Sequence, residues 1–136
     1  MPFTHGDLHL SRKARLQILL RRIETAEAVV DLVSHFHEDG DVDRCLACRQ
    51  FARWREARAV HEATGNPKPL ARAKKQEEYA TAVAARIEAA DAIVDVEARR
   101  HWGRCDVSCR ACSLLEEWRD AQFVHEAVSA YTAQSA

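Results

Sequence analysis

Glycine and proline are scarce in this chain, at 4 and 3 of 136 residues. That scarcity excludes a loop-rich or collagen-like protein and leaves room for long helices. No strand-length stretch alternates apolar and polar residues, so nothing reads as sheet. No run of eighteen apolar residues occurs, so no segment is suited to cross a membrane as a helix. The N-terminal stretch MPFTHGDLHLSRKARLQ lacks the apolar centre of a signal peptide, and the expectation is a cytoplasmic protein. Net charge is −1, which gives no bulk attraction for nucleic acid or an anionic membrane. A Ser/His/Asp set, a phosphate loop and a glycine-rich nucleotide fingerprint are all missing. The dipeptide HE recurs at 61–62 and 125–126, but Gly65 and Ser129 stand where HExxH needs its second histidine. The chain therefore reads as a non-enzyme.

What is present is repetition. Residues 22–63 align with 86–127 without a gap, at a constant offset of 64, with 18 of 42 positions identical; average composition gives about three by chance. The identities include RIE at 22–24 and 86–88, His37 with His101, both CxxC pairs, Trp54 with Trp118, and VHEA at 60–63 and 124–127. The chain reads as a single domain, 1–136, built from two internal repeats at approximately 8–64 and 70–128 with a linker at 64–69.

Each repeat has the pattern of a helix, a polar tip and a second helix. Leu16, Leu19, Ile23, Ala26, Val30, Val33 and His37 form a helical stripe, and Ala80, Val83, Ile87, Ala90, Val94 and His101 form its counterpart. Ser113 and Glu116 fit a capping box, which predicts that the fourth helix starts just past Cys112. Its face carries Leu114, Trp118, Ala121, His125 and Val128. Trp54, Ala57 and His61 mark the equivalent face of the second helix. TGNPKP at 64–69 supplies a glycine cap and two prolines between the repeats, and residues 129–136 are expected to fray. The predicted fold is all-α: tandem duplicated αα-hairpins in a four-helix arrangement with pseudo-twofold symmetry, their CxxC tips stabilised by zinc. Both tryptophans read as core residues.

Five cysteines, four of them in CxxC pairs, in a chain without an export signal point to metal binding before disulfides. The repeated candidate ligands are His37, Cys45, Cys48 and His61, then His101, Cys109, Cys112 and His125. Two thiolates and two imidazoles make a tetrahedral zinc set. Two zinc ions are the preferred reading, and one ion shared by the four CxxC thiolates is the alternative. A helix running from about Gln50 would carry His61 about 16 Å from the cysteines. The reading therefore requires a late-starting helix or a histidine from the other repeat. Cys105 has no twin, since Asp41 holds its place, and is assigned no role. The C-x2-C-x12-H spacing is similar to that of two-cysteine, two-histidine zinc fingers over three ligands per repeat. The second distal histidine and the strands of that family are missing. A redox CxxC or an iron–sulfur cluster is a less favoured use of the same thiols.

A closed four-ligand site is structural. The function expected is a zinc-stabilised helical binding, adaptor or inhibitor-like module acting on a protein partner, with a homodimer as a further possibility. The alternative is a nucleic-acid-binding regulator using the arginines of the tips: Arg44, Arg49, Arg53, Arg99, Arg100, Arg104 and Arg110.

Overall fold

The helical stripes become four helices in chain order: α1 (Arg12–Ser34), α2 (Leu46–Thr64), α3 (Ala73–His101) and α4 (Arg110–Ser135). The computed structural model describes residues 10–34, 46–65, 68, 72–101, 105 and 108–135, with the backbone alone for Leu46 and residues 131–135. Among the described residues there is no strand, and no helix is long and apolar enough to cross a membrane.

Local chemistry explains where the helices start and stop. Ser11 caps α1: its Oγ accepts the Ala14 N–H at 3.1 Å and its carbonyl accepts the Arg15 N–H at 3.0 Å. Gly65 ends α2 in the left-handed region, at φ 68°, and donates its N–H to the His61 carbonyl at 3.1 Å. Two boundaries differ from the sequence reading. The fourth helix begins at Arg110, not past Cys112, because the Ser113 N–H already bonds the Cys109 carbonyl at 3.2 Å. Cys109 is thus the N-cap. It also continues to Ser135, where fraying was expected; Ala127, Ala130 and Ala133 favour helix and no glycine or proline interrupts the run.

The core draws on all four helices. Val29 and Val30 of α1, Phe51 and Trp54 of α2, Ile93 and Val94 of α3, and Leu115 and Trp118 of α4 form one buried cluster. Packing crosses between the two halves of the sequence. Helix α2 lies mainly along α3, and α1 lies mainly along α4 and also against α3, whereas α3 and α4 touch much less.

Two buried polar networks tie this packing together. The Trp54 indole donates to Glu27 Oε2 at 2.8 Å, and Arg86 grips the same carboxylate with Nε at 2.8 Å and Nη2 at 2.6 Å. Arg86 Nη1 is also 3.1 Å from His61 Nδ1. On the other side, the Trp118 indole donates to Asp91 Oδ1 at 2.9 Å. Arg22 Nη2 reaches Asp91 Oδ2 at 3.0 Å, and Arg22 Nη1 lies 2.7 Å from His125 Nδ1. Each residue in the first network has its counterpart in the second at the offset of 64. The two are not equally satisfied. Glu27 is held by both prongs of its arginine, while Arg22 makes a single contact with Asp91 and leaves its buried Nε without a partner.

Candidate metal centre

The C-terminal end of α3 and the N-terminal end of α4 meet around four potential ligands. His101, Cys105, Cys109 and Cys112 each offer one donor atom, and all four donors lie within 4.8 Å of one another. His101 is the last residue of α3, Cys109 caps α4 and Cys112 lies in its first turn. A histidine closing one helix thus lies beside two thiols opening the next.

The distances suit a small tetrahedral cation. With Zn–S near 2.3 Å and Zn–N near 2.05 Å, the N···S edge of a tetrahedron is about 3.6 Å. His101 Nδ1 lies 3.5 Å from Cys109 Sγ and 3.7 Å from Cys112 Sγ. Cys105 Sγ is closer, at 2.9 Å, short of that edge by less than about 1 Å.

Behind the histidine stands Glu97, one turn earlier on α3. Its Oε1 accepts from His101 Nε2 at 2.7 Å. That bond places the ring proton on Nε2 and turns the Nδ1 lone pair towards the three sulfurs, the carboxylate–histidine arrangement that orients imidazole ligands on metals. Glu97 is not a repeated residue; Val33, a core residue, occupies its place 64 positions earlier.

The thiols differ in acidity. The Cys109 thiol is pulled down to about 7, first by the Cys112 backbone N–H, then by the Cys112 and Cys105 thiols and the Ala111 N–H. Cys112 is pushed up to about 12, first by burial and then by the neighbouring Cys109 and Cys105 sulfurs. Three sulfurs crowded together resist a second negative charge, and a divalent cation removes that resistance.

The structure gathers His101, Cys109 and Cys112 of the expected ligands and adds Cys105, the thiol to which the sequence reading gave no role. It does not bring in His125. That residue lies 13 positions beyond Cys112 on the same helix, about 20 Å along the axis, with Nδ1 against Arg22. His61 is likewise occupied, packed on Tyr79 at 5.4 Å between ring centroids and facing Arg86. Helix α2 is continuous from Leu46, so the late start that would return His61 to Cys48 does not occur. Burial, followed by the adjacent guanidinium, lowers the pKa of both histidines: Arg86 for His61 and Arg22 for His125. Cys48 is buried beside the core. His37, Cys45, Arg44 and Arg104 lie outside the described residues. One site fits the donors better than two, and among the described residues this group is the one that assembles. Of the remaining tip arginines, Arg49, Arg53, Arg99, Arg100 and Arg110 are exposed on their helices.

The sequence carried a signal for this group that repeat matching discards: His101, Cys105, Cys109 and Cys112 recur every three or four residues. Arg22 and Arg86 were also visible, as the first residue of the repeated RIE. Comparison with protein families, curated proteins and solved structures finds no match to this chain.

Proposed function

We propose that the protein is a non-catalytic helical module, derived from a duplicated helical hairpin, that is clamped by one zinc ion and acts by binding another protein. The observation that carries the metal assignment is the His101–Cys105–Cys109–Cys112 group with Glu97 behind its histidine. Three thiolates and one imidazole are a zinc donor set. With all four positions filled by side chains, no position is open for substrate, and the ion's work is to join α3 to α4, whose direct packing is slight. The repeated buried networks support the duplication, since each arginine of one repeat grips the carboxylate of the other.

The adaptor reading rests on the surface. Phe123 on α4 is 74% exposed and is followed by the exposed Val124; Leu20 on α1 and Val60 on α2 are exposed as well. Exposed arginines favour nucleic acid less, because Arg58 pairs with Glu62 and Arg100 with Glu97.

Native mass spectrometry of the purified chain tests the metal. One zinc per chain is expected, lost in Cys109→Ser and Cys112→Ser, and a chelator lowers the thermal midpoint of the wild type. Zinc-free protein with a chelator-insensitive melt refutes it. For the partner class, Phe123→Asp is expected to abolish complex formation in the native cell without changing the melt. Retention on single-stranded or duplex DNA or RNA at low salt, lost as salt rises, would replace the protein partner with a nucleic acid.

A further inference from the structure

The zinc-binding sulfurs differ in access. Cys105 is exposed, whereas Cys109 and Cys112 are half-buried at the start of α4. The exposed sulfur is also the ligand by which the repeats differ. At the offset of 64, His101, Cys109 and Cys112 have His37, Cys45 and Cys48 as twins, while Cys105 has Asp41. Three cysteines and one histidine already suffice for a structural ion, and the sulfur at position 105 is the one donor of the set that solvent reaches freely. Sulfur brings one capacity that a carboxylate lacks, which is reversible oxidation.

We propose that Cys105 is an oxidation site for hydroperoxides, and that its oxidation joins it to a neighbouring CxxC sulfur and ejects the metal. The inference rests on the zinc assignment above. The Cys105 thiolate attacks one oxygen of the hydroperoxide ROOH. An S–O bond forms, the O–O bond breaks, and the departing alkoxide takes a proton to leave as ROH. The sulfenic acid so formed is attacked by the sulfur of Cys109 or Cys112, both of which lie within 4.8 Å of it. An S–S bond forms, the S–O bond breaks, and hydroxide takes a proton to leave as water. Two thiolates have given two electrons to the O–O bond, and the zinc has lost two of its four donors. The clamp between α3 and α4 opens, and a thiol reductant with zinc restores it.

The test uses the full chain loaded with zinc and hydrogen peroxide as the probe. Released zinc is followed with a chromogenic chelator, and disulfides are located by non-reducing peptide mapping. Loss of one zinc per chain is expected, together with a disulfide that contains Cys105, both reversed by dithiothreitol and added zinc. Cys105→Asp, which installs the residue of the other repeat, is expected to release zinc severalfold more slowly. Release from that variant at the wild-type rate, or a disulfide joining Cys109 to Cys112 alone in the wild type, overturns the proposal. If Cys105→Asp does not hold zinc, the wild-type peptide map decides. Protein that binds no zinc at the outset sinks the metal assignment and this inference together; zinc that is bound and then kept through oxidation sinks only the inference.

Discussion

Replacing Glu27 with glutamine puts the central packing argument at risk. The substitution keeps the shape of the side chain and an oxygen for the Trp54 indole, so no cavity term enters. It removes the negative charge under Arg86. Glu27 and Arg86 have side chains 12% and 11% exposed and are joined by two charge-assisted bonds at 2.6 and 2.8 Å. Leaving one partner of such a pair buried alone costs about 3–5 kcal/mol. For a domain whose total stability is about 5–15 kcal/mol, that is a large share. At this chain length each kcal/mol moves the thermal midpoint by roughly 3–5 °C, so Glu27→Gln lowers it by about 10–15 °C or more. Asp91→Asn is the matched control. Asp91 holds Arg22 by one bond of 3.0 Å, and Arg22 retains His125 at 2.7 Å and Glu126 at 3.6 Å as other neighbours. Its cost is expected near that of a single charged hydrogen bond, about 1.5–3 kcal/mol. Urea unfolding followed by far-UV circular dichroism, at equal zinc content, measures both. A Glu27→Gln loss below about 1 kcal/mol, or an Asp91→Asn loss as large as that of Glu27→Gln, would refute the reasoning.

Other outcomes follow from the same geometry. At the proposed zinc site, Glu97→Gln is expected to weaken binding about 10- to 100-fold in a competition titration, through loss of the carboxylate that orients His101, while the zinc-saturated melt stays near wild type. Gly65→Ala forces a β-carbon into the left-handed region at φ 68°. Nothing lies within 4 Å of the added carbon, so the loss is backbone strain alone, about 1 kcal/mol by urea denaturation. His61 and His125 have lowered pKa values in the fold, so the unfolded chain takes up protons first as the pH drops below about 6.5. Stability is therefore full above that pH and declines from about 6.5 towards the depressed folded values. The double variant His61→Gln, His125→Gln has a shallower decline between about pH 7.5 and 5, and an unchanged slope would exclude the two histidines as its source.

The four helices were legible because their core stripes recur at helical spacing; Ile23, Ala26, Val30, Val33, Val83, Ala90 and Val94 are buried as the pattern requires, while Leu16, Leu19 and Ile87 are half-buried and Ala80 is exposed. The start of α4 was misplaced because a serine three residues before a glutamate resembles a cap, whereas the Ser113 N–H is already bonded to the Cys109 carbonyl inside the helix. The candidate metal centre was half legible. Repetition pointed to His101, Cys109 and Cys112, but it selected His61 and His125 with equal force. A repeated histidine is preserved by any repeated partner, and here that partner is an arginine of the opposite repeat. The same filter passed over Cys105 and Glu97, which have no twins. Pattern matching between copies cannot see what only one copy possesses, and it cannot see contacts such as Trp118 to Asp91, which form only when the helices lie side by side.

The placement of α1 along α4, and of α2 along α3, has a consequence for how the chain is made. A ribosome releases α1 and α2 with their principal docking surfaces still untranslated. Phe51 and Trp54 then stand in water until α3 has followed, and Val29 and Val30 gain their last neighbours only with α4. Cooperative structure appears late in synthesis, and the emerging amino-terminal half is a natural client for whatever shields apolar segments on nascent chains.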